Sequence, residues 1–66
     1  QIEDLTSAER RILKFIAEDR TSKEIADLLK ISVKTVENHR LNICHKLNLH
    51  GSHSLLKFAF DLKAYL

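Results

Sequence analysis

An all-α fold of four helices is what this sequence predicts, on three observations. Its apolar residues recur at three- and four-residue steps along nearly the whole chain and nowhere alternate as a strand face requires. Threonine followed three residues later by glutamate occurs at Thr6–Glu9 and again at Thr21–Glu24, the reciprocal pattern that starts helices. With no Pro and one Gly among 66 residues, the sequence offers few points at which a helix must stop.

The first helix is expected at 7–18. Thr6 caps it, and Ala8, Ile12, Leu13, Phe15 and Ile16 form its apolar stripe, with Asp19 or Arg20 carrying the turn. The second is expected at 22–29, capped by Thr21, with Ile25, Ala26, Leu28 and Leu29 inward and Lys30–Ile31 as the next turn. Ser32 then caps a third helix at 33–47, and Ile31 can staple onto Val36 across that cap. Val36, Ile43 and Leu47 face inward, and Asn48 suits a left-handed cap at the end. After Leu49-His50-Gly51, Ser52 opens a fourth helix at 53–65. Its core stripe is Leu55, Ala59, Leu62 and Leu66, which leaves Leu56, Phe58, Phe60 and Tyr65 off it.

One small domain over 1–66 is all this length allows, and it buries only about 60% of its unfolded surface. An apolar fraction of 44% argues against disorder, and no apolar run approaches the ~20 residues that span a bilayer. Cys44 stands alone, so no internal disulfide forms and a reducing cytoplasm is the expected location. Residues 1–4 read as a linker remnant, and a start at Gln1 rather than Met points to a fragment or a processed chain. The net charge of +2 permits a nucleic-acid partner without requiring one, so the placement of charge decides.

A short helix and a longer one across a tight turn, at 22–47, make a helix-turn-helix pattern, in which the second helix enters the major groove. Lys34, Glu37, Asn38, Leu41 and His45 lie on one face of that helix, opposite its core stripe, with His39, Arg40, Asn42 and Lys46 beside them. Lys34 can donate to guanine, Asn38 can pair with an adenine edge, Glu37 can accept from a cytosine amino group, and Leu41 can touch a thymine methyl.

The segments LTSAERRIL, TSKEIADLLKIS and TVENHRLNICHKLNL resemble the LuxR-type helix-turn-helix domain of the NarL/FixJ response regulators and quorum-sensing activators. The most specific part is Thr35, Val36, His39, Asn42, Ile43, Lys46 and Leu47 at fixed spacing. The resemblance implies a tetrahelical domain that binds double-stranded promoter or operator DNA in transcription regulation, as the output domain of a two-component response regulator. It implies base contacts from Lys34, Glu37, Asn38 and Leu41. Phosphate contacts are implied from Ser22, Lys23, Thr35, His39, Asn42 and Lys46, and Arg40 also sits where the motif places backbone contacts. It implies dimerisation through the fourth helix, for which Leu56 and Phe60 are the candidate residues, and RNA polymerase as a further candidate partner. This chain has Asp19 where the family has Gly, Ser52 where it often has Arg, and Glu37 where a base-reading Lys is usual.

Other readings are weaker. His39, His45, His50 and His53 with Cys44 lack paired metal-ligand spacing, so no metal and no cofactor is expected. Cys44 has no resolving partner and reads as a partly buried filler. Arg10, Arg11 and Lys14 read as solvated surface, and Phe58, Phe60 and Tyr65 as packing rather than a base-stacking platform. No nucleophile-plus-base spacing or glycine-rich phosphate loop is present, so an enzyme is not expected. The rivals are a sigma-factor promoter-reading region, which shares the L-T-x-x-E and E-I-A pattern, and a helical protein-interaction domain that binds no DNA.

Overall fold

Local hydrogen bonds set where the first three helices begin. The structure, a computed structural model, describes residues 2–51 and 53–65. A 3₁₀ turn at Ile2–Asp4 leads into α1 (Ser7–Ala17), then α2 (Ser22–Leu29), α3 (Val33–Leu47) and α4 (Ser54–Asp61), with a last 3₁₀ turn at Lys63–Tyr65. No strand occurs among the described residues.

At α1, the Thr6 N–H donates to Glu9 Oε1 at 2.9 Å and the Glu9 N–H donates to Thr6 Oγ1 at 3.1 Å. Thr21 and Glu24 repeat this pair at α2 with the same two distances. Ser32 Oγ accepts from the Thr35 N–H at 3.0 Å and so caps α3. These bonds satisfy backbone donors that the first helical turn leaves without partners.

The turns are left-handed. Asp19, Lys30 and Asn48 have φ of 62°, 57° and 55°. Asp and Asn tolerate this region better than most residues, whereas Lys30 adopts it with no polar side-chain compensation. Gly51, at φ 90°, makes the break before α4. The expectation that Ser52 opens α4 lies outside the described residues, as does Leu66. His53 stands at the N-cap without a side-chain hydrogen bond, while Ser54 Oγ donates to the Gly51 carbonyl at 3.0 Å.

The core joins Leu5, Ile12, Leu13, Ile16 and Ala17 to Ile25, Ala26, Val36, Ile43, Leu55 and Ala59. α1 packs against both α3 and α4, and α2 packs chiefly against α3. Three placements differ from the sequence reading. Ala8 is exposed and Glu9 is buried, because the inward arc of α1 is turned toward Glu9, Leu13 and Ala17. Leu28 is 49% exposed, since α2 has one main packing partner and buries only the narrow arc of Ile25 and Ala26, with Leu29 at its edge. The fourth helix stops at Asp61 rather than near Tyr65. An acid at the negative end of the helix dipole is unfavourable there, and the chain tightens so that the Tyr65 N–H donates to the Leu62 carbonyl at 2.8 Å.

Candidate nucleic-acid interface

Burying Val36 and Ile43 fixes the rotation of α3 about its axis. Residues at the opposite azimuth must then face outward, and Lys34, Glu37, Asn38 and Leu41 are all exposed. Leu41, a large apolar residue, is 59% exposed at the centre of this face. The face is therefore mixed: one ammonium, one carboxylate, one amide and one branched alkyl group, spaced one helical turn or less apart. Val33, in the first turn of α3, is exposed as well. The sequence reading passed over it because a valine at the start of a helix carries no polar signal.

Glu37 is tied to its surroundings. Its Oε2 accepts a hydrogen bond from Ser22 Oγ, at the start of α2, and lies 4.0 Å from Arg40 Nε. Ser22, expected at phosphate, and Glu37, expected at a base, are thus joined across the two helices of the motif. Both contacts fall on Oε2, and Oε1 has no partner among the described residues. This link was not visible in the sequence, which gives no measure of how the start of α2 lies against α3.

Along the other flank, Thr35 and His39 are half-buried and Asn42 is exposed. Thr35 Oγ1 lies 2.8 Å from Ser32 Oγ, and with Ser32 as the donor the Thr35 hydroxyl keeps its own hydrogen for another acceptor. His39 Nδ1 is buried without a hydrogen-bond partner among the described residues. Lys23 is exposed on the first turn of α2.

Lys46 is placed differently from its neighbours. Its Nζ donates to Glu9 Oε1 at 2.7 Å, joining the end of α3 to the start of α1. Glu9 is only 3% exposed. Burial alone pushes its carboxyl up, but the Lys46 hydrogen bond, the Thr6 N–H and the Lys46 charge together outweigh that and hold it below the usual carboxylate range. The sequence marked Glu9 as a cap and gave no sign that it is buried or that its partner lies so far along the chain. Burial pushes the Cys44 thiol up, against the smaller effect of the Arg40 charge, which suits a packed and unreactive side chain.

On α4, Leu56 and Phe58 pack partly against the core and Phe60 is 45% exposed. Leu56 therefore offers only part of its surface outward. Among the described residues no helix is long and apolar enough to cross a membrane.

The model of the family described as bacterial regulatory proteins, luxR family, matches residues 3–59. The chain is 53% identical over 58 residues to the uncharacterized response regulatory protein YgeK of Escherichia coli, an alignment that covers 88% of this chain and 40% of that protein. It is 44% identical over 59 residues to the oxygen regulatory protein NreC of Staphylococcus carnosus, covering 89% and 27%. It is 47% identical over 47 residues to the spore germination protein GerE of Bacillus subtilis, covering 71% and 64%. The chain thus spans less than half the length of the first two relatives. No solved structure matches it.

Proposed function

Since this chain belongs to the luxR family of bacterial regulatory proteins, whose helix-turn-helix domain binds DNA in transcription regulation, we propose that it reads promoter DNA with the outer face of α3. We further propose that its parent is a two-component response regulator. Two relatives that are longer than this chain and carry regulatory names support that reading.

The observation that carries the proposal is the exposed set Lys34, Glu37, Asn38 and Leu41 opposite buried Val36 and Ile43. A helix held by its apolar face against α1 and α2 offers this set to a groove without distorting the core. Asn38 pairs with an adenine edge, Lys34 donates to guanine, and Leu41 meets a thymine methyl. Glu37 uses Oε1 for a cytosine amino group while Oε2 keeps Ser22 and Arg40. The neighbouring cations Lys34 and Arg40 offset its repulsion of phosphate.

Phosphates are held at the N-terminus of α2 by the backbone N–H of Ser22, whose hydroxyl stays on Glu37, and by Lys23, where backbone N–H groups and the helix dipole favour an anion. Thr35, His39, Arg40 and Asn42 continue this contact along α3. With His39 Nδ1 enclosed in the fold, Nε2 is the edge that donates to phosphate. Lys46 belongs first to the α1–α3 junction through Glu9, and its contribution to phosphate binding is secondary. Phe60, with the outward part of Leu56, provides a small two-fold contact between subunits on adjacent half-sites.

A gel-shift titration on promoter fragments at two salt concentrations tests the reading. Binding should weaken steeply with salt, and Lys23→Ala should reduce the slope of log affinity against log salt by about one unit. Absence of binding at low salt would leave the face of α3 without a DNA ligand.

A further inference from the structure

Away from the helix-turn-helix, the N-terminal turn, α1 and the C-terminal turn border an open groove of about 500 Å³. Ile2 and Glu3 line it from the N-terminal turn, Arg10, Arg11 and Lys14 from α1, and Tyr65 from the C-terminal turn. No residue of α2 or α3 takes part, so the groove shares nothing with the face proposed to read DNA.

Two properties set it apart from an ordinary solvated face, which is how its cations read in the sequence. The first is charge. Three cations, Arg10, Arg11 and Lys14, stand against one carboxylate, Glu3, around a single depression. The second is apolar content. Tyr65 is 81% exposed and lines the groove together with Ile2, so an aromatic side chain and an aliphatic one border the same depression as the three cations. Arginine and tyrosine together are the residue types that protein interfaces favour, because each combines a broad apolar contact with a polar tip.

We propose that this groove docks an acidic segment of a protein partner, one that presents Asp or Glu beside a large apolar side chain. The carboxylates meet Arg10, Arg11 and Lys14, and the apolar side chain covers Tyr65 and Ile2. Chemistry selects this occupant over DNA. A duplex backbone offers phosphates to the cations but no large apolar side chain, and so gains nothing from Tyr65 or Ile2. An acidic peptide with an apolar side chain matches both halves of the lining. Docking here leaves the outer face of α3 uncovered, so a partner and DNA can be held at the same time.

The test titrates the isotope-labelled full chain with a synthetic Asp-Leu-Asp-Phe-Asp peptide and follows amide shifts. The control replaces every Asp by Asn, and a separate arm adds a short duplex. The acidic peptide should give saturable shifts centred on Arg10, Arg11, Lys14 and Tyr65, and added salt should weaken it by screening the charges. The Asn peptide should not bind. Reversing charge in Arg11→Glu/Lys14→Glu should weaken the peptide by at least about tenfold, because like charges then face each other. Tyr65→Ser should weaken it without changing the charge, and both variants should bind DNA as the parent does. Circular dichroism confirms that they are folded. The proposal is overturned by equal shifts with the Asn peptide, by no saturable shift, by undiminished binding in either variant, or by duplex DNA shifting the groove residues instead.

Discussion

Replacing Lys46 by Ala removes the ammonium that meets Glu9 and leaves a carboxylate that is 3% exposed with the Thr6 N–H as its remaining named donor. An exposed ion pair contributes less than about 1 kcal/mol. Stripping the partner from a fully buried charge costs about 3–5 kcal/mol. Glu9 is buried but Lys46 keeps about a third of its side chain in water, so the expected loss lies between these limits, about 2–3 kcal/mol. A domain of this size has only about 3–10 kcal/mol in total. The melting temperature should therefore fall by about 10–20 °C, read by circular dichroism. Glu9→Gln should cost less, because an amide oxygen still accepts from Thr6 and needs no counter-charge. The double variant Glu9→Gln/Lys46→Ala should be no less stable than Lys46→Ala, since it leaves no buried charge uncompensated. The pH dependence carries a sign. In the parent, the Glu9 carboxyl is held below its unfolded value, so it stabilises the fold above the ordinary carboxylate range, and that stability is lost as pH falls through the folded value. Without Lys46, two of the effects that lower the carboxyl are gone while burial still pushes it up, so it lies higher than in the parent and the deficit of the variant should shrink on acidification below about pH 4. A melting temperature within a few degrees of the parent, or a deficit that grows in acid, would refute the account of this junction.

Asp19→Gly should stabilise the chain by about 0.5 kcal/mol in urea unfolding, because glycine adopts φ 62° without the cost that Asp bears; a destabilised variant would mean that the Asp19 side chain supports the turn. Glu24 is held below its usual range, first by the hydrogen bond from the Thr21 N–H, yet it is exposed. Glu24→Gln should therefore alter the acid limb of the stability curve far less than Glu9→Gln, as thermal melts across pH would report. Phe60→Glu should abolish cooperative binding to a full site while half-site binding persists in gel shifts, and undiminished cooperativity would move the dimer contact off α4.

The helix starts were legible because their determinants are local. Thr6 with Glu9, Thr21 with Glu24, and Ser32 with Thr35 are each three residues apart, and each forms its cap. The left-handed cap at Asn48 was legible for the same reason, from a side chain suited to positive φ, whereas the turn after the first helix stayed open between Asp19 and Arg20 and falls on Asp19. The outward face of α3 followed from periodicity, because burying Val36 and Ile43 sends Lys34 and Asn38 outward. What escaped was set by contacts between helices. Glu9 meets Lys46 across 37 positions and Ser22 meets Glu37 across 15, and periodicity within one helix carries no information about such azimuths. Ala8 and Leu28 were misplaced for this reason, since the width and rotation of a buried arc depend on how many helices pack against it.

The central claim is that the outer face of α3 reads base sequence, and Asn38→Ala tests it most directly. Binding of parent and variant should be compared on a site selected by the parent and on unrelated duplex at the same salt. The account predicts a loss of about 1–3 kcal/mol on the selected site, unchanged affinity for unrelated duplex, and relaxed preference at a single base pair. Equal loss on both duplexes, or an unaltered base preference at every position, would contradict it.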